Sequence, residues 1–133
     1  MSDKRAMFVG RWQPLHNGHK WLIGQKLNEG IPVLICVRDI PPDEKNPFTT
    51  ERTIDMLETV YDEDDVVVMA IPDIESVNYG RGVGYQIVEH VPTADIGFIS
   101  ATAIRTQIAN EDDSWKKNVD AKIHDKILKY LGD

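Results

Sequence analysis

Gly10-Arg11-Trp12-Gln13-Pro14-Leu15-His16-Asn17-Gly18-His19 follows directly on the apolar run Ala6-Met7-Phe8-Val9 and leads into helical spacing at Leu15, Leu22, Ile23 and Leu27. A short apolar strand that passes through a glycine-bearing polar turn into a helix is half of a β-α-β unit. The same alternation recurs along the chain. Pro32 to Val37, Val66 to Ile71 and Ile96-Gly97-Phe98-Ile99 are further apolar runs, rich in β-branched residues, and Ile54, Leu57 and Val60/Tyr61 follow Thr49 as an N-cap. Continuous apolar runs without alternation suit strands covered on both faces.

Strands alternating with helices predict an α/β protein: a Rossmann-like parallel sheet of four to five strands flanked by helices. Ile104 and Ile108 mark a further helical segment. Val119, Ile123, Ile127 and Leu131 stand at i,i+4 spacing, with Ser114 before them and Gly132 after, which predicts a C-terminal amphipathic helix. Trp115 and that helix could bury against this core or against a second copy, so a homo-oligomer stays open. Sheets of this kind bind ligands at the carboxyl ends of their strands, which directs attention to the strand-to-helix turns.

The 133 residues suit a single domain over 1–133, and 41% hydrophobic with 28% charged residues suits a packed core. Fifteen Lys+Arg against 22 Asp+Glu give a net charge of -7, with no basic stripe, so nucleic acid is not expected as a partner. A small phosphate ligand remains compatible with that charge wherever local cations and N–H groups converge. Cys36 is the single cysteine and sits inside an apolar run, which argues for a buried thiol in a reducing compartment. No apolar run reaches the ~18 residues of a membrane span and Met1 to Arg5 leads into no signal-peptide core, so a cytoplasmic protein without membrane contact is expected.

His16 and His19, three apart, place both imidazoles on one side of a first helical turn. Gly18 is expected to let a ligand approach the backbone, where free N–H groups and the helix dipole favour an anion. A surface pair, or two ligands of a metal site, are the alternatives; the remaining histidines, His90 and His124, lie on distant segments, so no protein-held metal is expected. Ile99-Ser100-Ala101-Thr102-Ala103-Ile104-Arg105 repeats the logic at a second strand end. There Ser100 or Thr102 serves as an ordinary N-cap or as a phosphate ligand, and Arg105 stands where it can neutralise charge.

Gly10 to His19 resembles the first signature of the HxGH nucleotidyltransferase superfamily, with Trp12 and Leu15 where phenylalanine is usual. Ile99 to Arg105 resembles its second signature, with Ala101 at the small-residue position. Asn46-Pro47-Phe48-Thr49-Thr50-Glu51-Arg52 is similar to a helix start of archaeal-type nicotinamide mononucleotide (NMN) adenylyltransferases, and is also a good helix start in its own right. The resemblance implies transfer of a nucleotidyl group, adenylyl from ATP, to a small phosphate-bearing acceptor, for which NMN is the single best choice, with release of pyrophosphate. It implies His16, His19 and Arg105 as catalytic, with Gly10, Arg11, Gly18, Lys20, Ser100 and Thr102 around the triphosphate. Mg²⁺ would be held mainly by the nucleotide. Arg38 at the end of the second strand, Asn46, Tyr79 and Arg81 are the candidates for the acceptor.

The acceptor stretch Asp73 to Tyr85 is shorter than in NMN enzymes and contains no tryptophan. Its Gly80, Gly82 and Gly84 with Arg81 fit a phosphate-binding turn or a flexible loop equally well. Two other readings stand beside adenylyl transfer: a CTP-dependent cytidylyltransferase acting on a phosphorylated alcohol or sugar, and a nucleotide-binding regulatory module without turnover.

Overall fold

A computed structural model of the chain describes residues 4–82 and 84–132, and three of the four apolar runs are strands in it. β1 (Ala6–Gly10), β2 (Val33–Asp39) and β3 (Val66–Pro72) pair in parallel in the order β1-β2-β3. The register sets Leu34 between Met7 and Val67, and Cys36 between Val9 and Met69. The crossovers are α1 (Asn17–Leu27) and α2 (Thr50–Val60).

Two right-handed crossovers that step in the same direction put both helices over one face of the sheet. That face is the core. Val33, Ile35, Val37 and Val66 pack there with Ile23 of α1 and Met56 and Leu57 of α2, all buried. On the opposite face Met7, Val9, Val67 and Met69 are exposed.

The fourth run is not a strand, which corrects the expected four to five strands to three among the described residues. Ala94–Gly97 form a single helical turn, α3, Phe98 after it is exposed, and α4 (Ala101–Ala109) begins past Ser100. The run is four residues long and contains Gly97, which weakens any strand. Just before it Thr93 is bound to the Asp95 side chain at 2.5 Å, so the polar start of the segment favours a turn. β1 therefore remains an edge strand, and residues 73–82 and 84–93 carry no helix or strand.

The closing segment is divided as well. Residues Asp113–Asn118 and Ala121–Ile123 are 3-10 turns, and α5 covers His124–Gly132. Asp112 opens the first of these turns by accepting the backbone N–H of Ser114, and Asp120 accepts that of Lys122 in an Asx turn that interrupts the expected helix. Val119, Ile123 and Ile127 still turn inward, and Trp115 is buried in this chain's own core. α5 is fastened to α2 by Lys126, whose Nζ reaches both Asp55 carboxylate oxygens at 3.0 and 2.9 Å, and by the Tyr130 hydroxyl donating to Asp55 at 2.5 Å.

Ile127 has no exposed surface, so truncating it leaves a cavity that α5 alone cannot fill. Ile127→Ala is expected to lower unfolding free energy by about 2–5 kcal/mol, read by urea denaturation.

Candidate active site

The turn after β1 is held by buried polar bonds. Trp12 adopts φ +54°, a left-handed conformation uncommon for a bulky residue, and its indole N–H donates to the Cys36 carbonyl of β2 at 3.1 Å. Gly10 is required by that arrangement, since a Cβ there would lie 2.9 Å from the Trp12 indole. Gln13, also buried, pairs its side-chain amide with the backbone of Phe48: Nε2 donates to the Phe48 carbonyl at 3.0 Å and the Phe48 N–H donates to Oε1 at 2.9 Å. The Gln13 carbonyl in turn accepts from Arg105 Nη1 at 2.7 Å. One residue thus joins the first turn, the segment before α2 and the middle of α4.

His16 is the N-cap of α1. Its Nδ1 accepts the N–H groups of Gly18 at 3.0 Å and His19 at 3.4 Å, while the His16 N–H donates to Nδ1 of His19 at 3.2 Å. This corrects the expectation of free N–H groups and an open glycine at that helix start. The imidazole itself fills the position, and a Cβ on Gly18 would lie 2.8 Å from its ring.

The reciprocal cap fixes the tautomers. With both Nδ1 atoms accepting, each neutral ring carries its proton on Nε2. The rings stack with centroids 3.7 Å apart and planes 16° from parallel. Burial pushes the His16 imidazole down to about 4, and burial followed by the neighbouring His16 charge pushes His19 down to about 3. Both are neutral at pH 7, and both are Nε2–H donors.

His19 lines a cleft of about 200 Å³ together with Arg11, Lys45, Thr102 and Arg105, and Trp12, Gln13, Asn46 and Ala101 complete its wall. Three cations thus converge in a chain of net charge -7. At the start of α4 the Ser100 hydroxyl accepts from Ala103 N–H at 3.1 Å, and Arg105 Nη2 donates to the Thr102 hydroxyl at 3.4 Å. A larger cleft of about 440 Å³ lies beside Asp39, Pro41, Thr50 and Glu51. It offers carboxylates and no cation, so it is not suited to phosphates.

Other sequence candidates are placed elsewhere. Lys20 is paired with Asp120 at 2.6 Å. Arg38 is paired with Asp73 through Nε at 2.7 Å and through a second guanidinium nitrogen. Tyr79 and Arg81 are exposed in the irregular stretch, outside the cleft. Asn46 lies in the cleft wall, buried, with its Nδ2 donating to Asp43 at 3.0 Å. Lys45 and Gln13 were not singled out by sequence reasoning. Lys45 directly precedes the Asn46-Pro47-Phe48 match, and Gln13 lies inside the first signature, but neither has a pattern of its own.

Among the described residues no cluster of three His, Cys, Asp or Glu could hold a metal ion, and no helix is long and apolar enough to cross a membrane.

The profile of the cytidylyltransferase-like family matches residues 7–123. Nicotinamide-nucleotide adenylyltransferase of Thermococcus sibiricus is 28% identical, the alignment covering 96% of this chain and 85% of that protein. The enzymes of the same name from Thermococcus kodakarensis and Thermococcus onnurineus are 31% and 32% identical over 71% of this chain, which spans about half of their length (53% and 52%). Among solved structures, a bifunctional NMN adenylyltransferase/ADP ribose pyrophosphatase from Francisella tularensis, complexed with AMP and a manganese ion, is 34% identical with a TM-score of 0.48. That similarity covers 55% of this chain and 23% of the other.

Because folding holds both imidazoles below their ordinary value of 6.5, the unfolded chain takes up protons first as pH falls. The stability contributed by the two neutral imidazoles is expected to be fully present above about pH 6.5 and to be lost as pH drops toward 4. The double variant His16→Asn, His19→Gln, which retains capping groups without titrating, is expected to show a flatter melting temperature over that window; an identical slope would remove the histidines as its cause.

Proposed function

The chain belongs to the cytidylyltransferase-like family, and from that premise we propose that it transfers the adenylyl group of ATP to the phosphate of NMN, releasing pyrophosphate. The observation that carries the proposal is the cleft that the neutral His19 imidazole lines together with Arg11, Lys45 and Arg105. The adenylyl donor and the NMN acceptor follow from what the relatives are named for.

In this reaction an oxygen of the acceptor phosphate attacks the α-phosphorus of ATP. The new O–Pα bond forms as the Pα–O bond to the β-phosphate breaks, and the bonding pair leaves with pyrophosphate. The nucleophile is already an anion, so no base is required, and catalysis reduces to alignment and charge stabilisation. His19 donates its Nε2–H to the α-phosphate oxygens, a task for which a neutral donor fixed in one tautomer is suited. His16, buried behind His19 and outside the cleft lining, is the second such donor only if its Nε2–H comes to the cleft.

Arg105 and Lys45 offset charge on the departing pyrophosphate, with Arg11 lining the same cleft. The start of α4, with Thr102 and the N–H groups of Ala101 and Thr102, receives phosphate oxygens. Ser100 shapes that start as its cap. Gly10 and Gly18 act indirectly, by leaving room for Trp12 and His16. Lys20 reaches the phosphates only by releasing Asp120, and Arg38 the acceptor only by releasing Asp73; Tyr79 and Arg81 reach it only if their stretch moves to the cleft. Mg²⁺ enters as the companion of the nucleotide phosphates and supplies further positive charge there. The enzyme is expected to act in the cytoplasm, where ATP is available and Cys36 would stay reduced.

Pyrophosphate release is measured with Mg²⁺ across ATP, CTP, GTP and UTP against NMN, phosphopantetheine, glycerol phosphate and sugar phosphates. Turnover is expected with ATP and NMN, and His19→Ala is expected to lower it by ~10²-fold with the fold intact. Preference for CTP with a phosphorylated alcohol would replace the proposal by cytidylyl transfer. ATP binding without turnover against any acceptor would replace it by a regulatory role.

A further inference from the structure

Lys45 lines the cleft from an exposed turn that belongs to neither a helix nor a strand. Gln13 fixes the chain at Phe48, and none of its bonds reaches Lys45. Among the described residues Lys45 makes a single hydrogen bond, from its backbone N–H to Oδ1 of Asp43 at 2.9 Å. The same oxygen accepts the Asn46 N–H at 2.7 Å and the Asn46 Nδ2 at 3.0 Å. Behind it the backbones of Asp43 and Asn46 exchange bonds, the Asp43 N–H donating at 3.0 Å and the Asn46 N–H at 3.2 Å. Pro42 and Pro47 bracket the turn, and each fixes its own φ and restricts the residue before it.

One carboxylate oxygen thus closes the turn over residues 43–46 that carries Lys45. An aspartate accepting the N–H groups two and three residues on holds a backbone that no neighbouring strand supports. The Asn46 side-chain bond foremost, and then the backbone bonds, keep the Asp43 carboxyl below its ordinary value, so it is an anion at neutral pH. That charge also interacts with Arg11 and Arg105. Asp43 therefore acts on the cleft in two opposed ways. As an acceptor it shapes the turn that bears one cation, and as a charge it lowers the positive potential of the other two.

We infer that Asp43 is a positioning residue for phosphate binding: by accepting the N–H groups of Lys45 and Asn46 on one oxygen it holds the turn that presents Lys45 to the cleft. The inference rests on the phosphate role given to that cleft, and not on which nucleotide or acceptor is used. Position 43 then requires an acceptor and not a charge. Asparagine offers a carbonyl oxygen at the same reach, whereas alanine offers none. Both are neutral, so the ratio between these two variants reads the turn alone, free of the field.

Inorganic tripolyphosphate is the probe, because it carries the anion of a nucleotide without its base. Binding is measured by calorimetry for the unaltered protein, Asp43→Asn, Asp43→Ala, Lys45→Ala and the two double variants, each shown by a thermal melt to be folded. Asp43 is exposed, so these changes leave the core untouched. Asp43→Asn is expected to bind at least as tightly as the unaltered protein. Asp43→Ala is expected to bind about tenfold more weakly than Asp43→Asn, the scale of one charge-assisted contact, and Lys45→Ala to lose about as much. With Lys45→Ala already present, Asn and Ala at position 43 are expected to bind alike, since the cation that the turn presents is gone.

Equal binding by Asp43→Ala and Asp43→Asn overturns the inference. So does unchanged binding in Lys45→Ala, or a difference at position 43 that survives it, since the turn would then act on something other than Lys45. No binding by the unaltered protein overturns it together with the phosphate role of the cleft. If the tenfold difference is found and no nucleotide and acceptor pair turns over, the positioning role stands and only the adenylyl-transfer reading fails.

Discussion

The bonds of Gln13 are the constraint on which the cleft depends. A buried amide that pairs with both the N–H and the C=O of Phe48, while its own carbonyl receives Arg105, brings together segments 35 and 92 residues apart in sequence. None of those backbone groups can be left unpaired in the interior without a penalty of about 1–3 kcal/mol each. Lys45 and Asn46 reach the cleft because Phe48 is held, and Arg105 faces it because its guanidinium is anchored. The three-stranded sheet supplies the platform, but this polar clasp decides which side chains meet.

Around that clasp the helix start does two jobs with the same atoms. A histidine is an unusual N-cap, and here two of them cap each other, which consumes both Nδ1 atoms and leaves both Nε2–H groups as donors. Burial then keeps the rings neutral. A donor without formal charge holds a phosphate oxygen without depending on a proton that comes and goes near neutral pH. The positive charge comes from three residues on three segments, Arg11, Lys45 and Arg105, in a protein whose net charge is -7. The overall balance is thus a poor guide to the local field, because charges on the far surface lie beyond a screening length of the cleft while Arg11, Lys45 and Arg105 share it.

Much of the fold was legible in the sequence because its signals are local. The apolar runs at residues 6–9, 32–37 and 66–71 and the Thr49 cap each announce an element without reference to anything distant, and the cap forms with Arg52 N–H donating to the Thr49 hydroxyl at 3.2 Å. Ile96–Ile99 misled because a four-residue apolar run is also what a single helical turn looks like, and only a neighbouring edge decides between them. The closing helix is shorter than its i,i+4 spacing predicts for a related reason: Asp120 carries the interrupting turn, and an aspartate on a helix surface has the same appearance in sequence.

The sequence by itself determined the family and singled out His16, His19, Thr102 and Arg105 as candidates, since they sit in contiguous motifs whose residue types suggest their chemistry. Tertiary structure alone decided which of the basic residues are available. Lys20 and Arg38 look no different in sequence from Lys45 and Arg11, yet Asp120 and Asp73 hold the first two while the others line the cleft. It also decided that the glycines serve packing, Gly10 against Trp12 and Gly18 against His16. The physical reason is that an ion pair, or the space beside a Cβ, depends on partners brought in by the chain from far away, and no local pattern records who those partners are.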